Sequence, residues 1–132
     1  MAEARNIEGN AFKNGSATLM ARVVGANGAN ILSSEIATVR YAIYLLDDQD
    51  PDRRMTIAGH DNVVLTVGAV VFDSLQTDAL WTVDAVGYNF RHILDVSTAP
   101  AFSFAGRRYL VEYRLTPTAG QVIIVRFRIN VI

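Results

Sequence analysis

From position 107 to 117 the chain reads RRYLVEYRLTP, and its side chains alternate in character without a break. Tyr109, Val111, Tyr113 and Leu115 fall on one side; Arg108, Leu110, Glu112 and Arg114 fall on the other. A period of two marks an extended strand with one buried face, whereas a helix places residues three or four apart on a common stripe. Pro117 ends the strand, because proline cannot donate to a ladder. TPTAGQ turns the chain, and QVIIVRFRINVI resumes the rhythm, with Ile123, Val125, Phe127, Ile129 and Val131 opposite Arg126, Arg128 and Asn130. Two such runs joined by a short loop containing Gly120 predict an antiparallel hairpin with an arginine-bearing outer face.

The rest of the chain carries shorter signals of the same kind. ATLMARVV (17–24) reads as a strand after the turn KNGS, and GANGAN (25–30) as a connector. EIATVRYAIYLLD (35–47) sets Val39, Tyr41, Ile43 and Leu45 against Thr38, Arg40, Ala42 and Tyr44. Its Ala and Leu content suits a helix, but its β-branched and aromatic residues favour a strand. RMTIAG and NVVLTV (62–67) read as short strands around the turn GHDN. Residues 68–80 suit either one turn of helix or 3-10 structure, or an irregular crossover. GYNFRHILDV (87–96) alternates Tyr88, Phe90, His92 and Leu94 against Asn89, Arg91 and Ile93, and 97–106 is a loop. Residues 1–14 are polar and unpatterned, so they are expected to form an arm or a weakly docked edge beside one domain at 15–132. About seven short strands with regular turn signals and no βαβ alternation predict an all-β chain, an antiparallel, immunoglobulin-like β-sandwich with at most one short helix or 3-10 turn.

Composition narrows function mainly by exclusion. The apolar share of 51% supports a core, and a net charge of −1 gives no footprint for nucleic acid or an anionic membrane. There is no cysteine, which removes disulfides and thiolate chemistry. The first residues lack an apolar signal-type stretch, and no uncharged run approaches the roughly 20 residues of a membrane span. Cytoplasmic synthesis without a signal peptide is the expectation. Eleven of the twelve basic residues are arginine, a side chain favoured at protein interfaces.

Few residues suggest chemistry. In DDQDPDRR (47–54), Asp48, Asp50 and Asp52 have the first three spacings of a calcium loop. The loop's sixth position is Arg53 where glycine is needed, and its twelfth is Gly59 where a bidentate glutamate is needed, so a solvated turn is expected. His60 and His92 are the only histidines, far apart in sequence and without metal-ligand spacing. No GxSxG or GxGxxG occurs, and no cofactor or catalytic residue is expected. Trp81, with Tyr88, Phe90 and Tyr44, could stack on a sugar if they pointed outward, and a carbohydrate-binding or adhesion module, with calcium at 47–52, is the alternative reading; alternation places the aromatics mainly inward. The stronger candidate is a contact surface for protein subunits, built from Arg114, Arg126 and Arg128 together with Val131 and Ile132 of the last strand, which as an exposed edge would be able to pair with another chain.

Three stretches, FKNGSATLMARVVGANGANI, IATVRYAIYLLDD and GRRYLVEYRLTPTAGQVIIVRFRINVI, carry a likeness at the level of pattern. The chain resembles immunoglobulin-like β-sandwich modules of tailed-phage tail and baseplate proteins, such as the N-terminal domain of upper baseplate proteins. Those modules similarly close with a GxxYxVxYxLT strand and a final apolar strand. The segment VVFDSLQTDALWTVDAVGYNFRHIL has no counterpart in that pattern. The resemblance implies a virion structural protein: a small adaptor or decoration module that contacts copies of itself or other particle components, with no catalytic residues to transfer.

Overall fold

A computed structural model of the chain describes residues 7–25, 28–50 and 52–132. Nine strands run through them: β1 (Ile7–Ala11), β2 (Thr18–Ala21), β3 (Ile36–Leu46), β4 (Arg54–Thr56), β5 (Val63–Leu65), β6 (Val71–Gln76), β7 (Tyr88–Ile93), β8 (Arg108–Pro117) and β9 (Ile123–Val131). A 3-10 turn, Ser33–Glu35, precedes β3, and a single helical turn, α1 (Val67–Val70), leads into β6.

The larger sheet has the order β1-β9-β8-β3-β4, with β5 also paired to β3; the smaller has the order β2-β7-β6. Every pairing is antiparallel except β1 on β9, which is parallel. Strands β2, β7 and β6 correspond to the B, E and D strands of an immunoglobulin-like sandwich, and β3, β8 and β9 to C, F and G. Strands β4 and β5 lie where variable-type domains add strands beside C. Tyr109, at the start of β8, accepts a hydrogen bond on its hydroxyl from the Phe104 backbone N–H at 3.1 Å. That is the tyrosine corner of this architecture. Two residues on, where antibody domains carry the second cysteine, stands the fully buried Val111. With no cysteine in the chain, no disulfide joins the sheets.

The alternation in β3, β8 and β9 is realised directly. Val39, Tyr41, Ile43 and Leu45 meet Tyr109, Val111, Tyr113 and Leu115 in one buried cluster with Phe127, Ile129 and Val131. Leu19 and Ala21 of β2, Val71 of β6 and Phe90 of β7 close it from the opposite sheet. Ring contacts fix the centre: Tyr113 lies 4.8 Å from Phe90 and 5.7 Å from Phe127, both edge to face.

Three local expectations need correction or completion. The segment 71–76, read as helix or crossover, is a strand after a helical turn, and its register slips between Val71 and Gln76. Within the N-terminal arm, Ile7–Ala11 is an ordered edge strand on β9, in register from Ile7 opposite Phe127 to Ala11 opposite Val131; residues 1–6 lie outside the described residues. It follows that β9 has neighbours on both sides and is not an open edge.

Candidate functional site

The outward side chains of the larger sheet form rows, because residues opposite each other in an antiparallel register share a face. One row runs Val64, Arg40, Arg114, Ile124. The next runs Ala42, Glu112, Arg126. The third runs Thr56, Tyr44, Leu110, Arg128, Glu8, and the fourth Arg54, Leu46 on one side and Arg108, Asn130, Asn10 on the other. Six of the eleven arginines therefore sit on one sheet face, drawn from β3, β4, β8 and β9.

Their surroundings differ. Arg126 Nε lies 2.8 Å from Glu112 Oε2 and donates a hydrogen bond to it, and Glu112 is largely covered. Arg54 stacks on the Tyr44 ring, 4.2 Å from its centre. Arg40, Arg108, Arg114 and Arg128 have no ion pair among the described residues. Arg128 Nε is moreover buried without a hydrogen-bond partner among them. A shallow cavity of about 480 Å³ opens on this face, lined among others by Arg40, Tyr44, Asn62, Glu112 and Arg114. The chemistry on offer is planar, many-donor cation with an apolar border, suited to binding carboxylates and to packing.

Of the residues expected at a contact surface, Arg114, Arg126 and Arg128 do share this face. Val131 does not: it lies on the inward face of β9, is 2% exposed and packs into the core. Ile132 is exposed, but its backbone N–H donates to Ala11 and its carbonyl accepts from Lys13, so it is tied to the arm. Sequence alone does not single out Arg40 and Arg54, and it offers Tyr44 only as a possible stacking aromatic. The alternation of 35–47 already placed Arg40 and Tyr44 outward; what it lacked was the knowledge that β3 lies beside β8.

Trp81 and Tyr88 do not form a stacking platform. Tyr88 is 2% exposed and its hydroxyl donates to Asp78 at 2.6 Å. Trp81 lies against it, 5.6 Å between ring centres, with its indole N–H donated to Asp84 at 3.0 Å. That bond, with those from the Gly87 and Val86 backbone and from Arg22, holds Asp84 far below the ordinary carboxylate range. The Asp48, Asp50 and Asp52 set is likewise not assembled as ligands. Asp47 accepts from the Gln49 and Asp50 backbones, Asp50 accepts from the Asp52 backbone, and Asp48 pairs with Arg107 at 3.2 Å. These are the Asx bonds of a turn; Pro51 lies outside the described residues. No cluster of three or more His, Cys, Asp or Glu side chains suited to a metal occurs among the described residues.

The two histidines meet across the core rather than at a cleft. His60 Nε2 donates to the Ala99 carbonyl at 2.9 Å, and its Nδ1 shares a hydrogen bond with the Tyr41 hydroxyl at 2.8 Å. His92 Nδ1 shares a 2.6 Å hydrogen bond with the Tyr113 hydroxyl, and its ring lies 5.0 Å from Tyr41. Burial, and then the charge of His60, lower the His92 pKa from 6.5 to about 4. Burial raises Tyr41 and Tyr113 above the ordinary phenol value, with smaller contributions from Asp95 and Tyr41 respectively.

Compared with known proteins, the chain matches no family model, no curated protein and no solved structure.

Proposed function

We propose that this chain is a non-catalytic structural module that works through the arginine-bearing outer face of its larger sheet. The observation carrying this reading is that Arg40, Arg108, Arg114 and Arg128 share that face without an ion pair among the described residues. Arginines left without counter-ions on a broad, partly apolar sheet are a surface suited to another protein. The likeness to immunoglobulin-like modules of phage tails and baseplates supplies the setting. In this reading the chain serves as an adaptor or decoration component of a phage or prophage-derived particle, contacting copies of itself or neighbouring subunits. Fold alone does not supply this function; the face does.

Sedimentation velocity of the wild-type chain and of the triple variant Arg108→Ala/Arg126→Ala/Arg128→Ala tests the reading. Concentration-dependent association that weakens with salt and disappears in the variant is expected. A variant that associates as the wild type does, or a wild type that stays monomeric at high concentration with no particle subunit binding it, contradicts it.

A further inference from the structure

Arg40 and Arg114 stand directly opposite each other across β3 and β8. Like charges at opposed ladder positions repel and reduce stability. Neither has an ion pair among the described residues. The closest carboxylate in the ladder, Glu112, is committed to Arg126 at 2.8 Å and is only 11% exposed at its side chain. Asp61 sits at the rim of the same cavity and pairs with neither arginine. The row is bounded by Val64 on one side and Ile124 on the other, both exposed apolar side chains.

We infer that Arg40 and Arg114 form a two-arginine clamp that takes a carboxylate from an acidic segment of a protein partner. This rests on the reading of the outer sheet face as a contact surface and names what it contacts. Guanidinium forks match carboxylates in geometry as well as charge, and two of them facing one cavity can hold one side chain from both flanks. Val64 and Ile124 favour a peptide whose neighbouring side chains are apolar. Asp61 and Glu112 line the cavity with the two arginines and Glu8 lies further along the face, so a continuous phosphate backbone meets several carboxylates where one acidic side chain meets the arginine pair.

Fluorescence anisotropy with a labelled peptide of alternating glutamate and valine tests the clamp. The comparison set is the same peptide with glutamine for glutamate, a labelled single-stranded oligonucleotide, and the variants Arg40→Gln, Arg114→Gln and Lys13→Gln. The wild type is expected to bind the glutamate peptide at low salt and not the glutamine peptide. Each arginine variant is expected to bind about tenfold more weakly, the loss of one charge-assisted hydrogen bond. Lys13→Gln, which removes the same charge away from the face, is expected to bind as the wild type does. Melting temperatures of Arg40→Gln and Arg114→Gln should hold or rise, since repulsion is relieved. The clamp is overturned by arginine variants that bind normally, by no wild-type binding, or by an oligonucleotide that binds more tightly than the peptide. A marked fall in melting temperature for both variants also overturns it, because the pair would then be structural. The association test above uses none of the clamp residues, so it can succeed while the clamp fails.

Discussion

The carboxamide of Asn89 completes a ladder that β2 has already left. Its Oδ1 accepts from the Val23 backbone N–H at 2.7 Å and its Nδ2 donates to the Val23 carbonyl at 2.9 Å, all fully buried. Alternation assigned Asn89 to the outward side of its strand, because a pattern of polarity cannot see a side chain that replaces backbone as a partner. Asn89→Leu leaves the Val23 N–H unpaired and its carbonyl with the Ile31 N–H alone, and urea unfolding should show a loss of about 1–3 kcal/mol; a loss near zero would mean that the Val23 N–H finds another partner. His92 was read as inward, and that is where it lies, against Tyr41 and Tyr113. Its pKa is about 4 in the fold and near 6.5 in the unfolded chain, so the unfolded chain takes up the proton first as pH falls. Its stabilising share is therefore complete above the ordinary value and is lost between pH 6.5 and 4. After discounting for partial solvent access, that share is no more than about 2 kcal/mol. The carboxylates with lowered pKa, such as Asp78 and Asp95, begin to lose their stabilising share as pH falls to the ordinary carboxylate value, at the bottom of that window. Unfolding midpoints measured from pH 7.5 to 4 should slope downward in the wild type and more gently in His92→Gln; parallel slopes would remove His92 from the account.

Strands differ in how openly the sequence declares them. β3, β8 and β9 are long, have one face in the core, and repeat their period enough times to be read directly. β6 was missed because its burial follows no clean alternation and its register slips against β7, so the local rhythm is broken where the pairing is. β1 was missed as a strand for another reason. IEGNA buries only Ala11 and is held chiefly by a parallel backbone ladder, which leaves no trace in side-chain polarity. The same hidden pairing made β9 look like an open edge and Val131 like a contact residue. A strand held this way opens more readily than a core strand. Amide exchange should therefore be faster in β1 than in β3 and β8 by at least an order of magnitude, with mass spectrometry resolving the segments. Equal protection would show that the arm is part of the cooperative core.

For the whole molecule, the decisive information is which strands become neighbours. The hairpin already placed Arg108, Arg114, Arg126 and Arg128 on one face. Arg40 and Arg54 joined them only when β3 was found beside β8 and β4 beside β3, which are long-range pairings that no local period encodes. The result is a chain of net charge −1 with a polarised surface: arginines gather on one sheet, while Arg22 and Arg91 on the other side are paired with Asp84 and Asp78. Arginine-selective labelling with phenylglyoxal, read by peptide mass spectrometry in the associated and dissociated states, tests this division most directly. Arg40, Arg108 and Arg114 should lose reactivity on association while Arg22 and Arg53 keep theirs. Protection centred on Arg22 and Arg91 instead, or no change at any arginine in the associated state, would contradict a function carried by the outer face of the larger sheet.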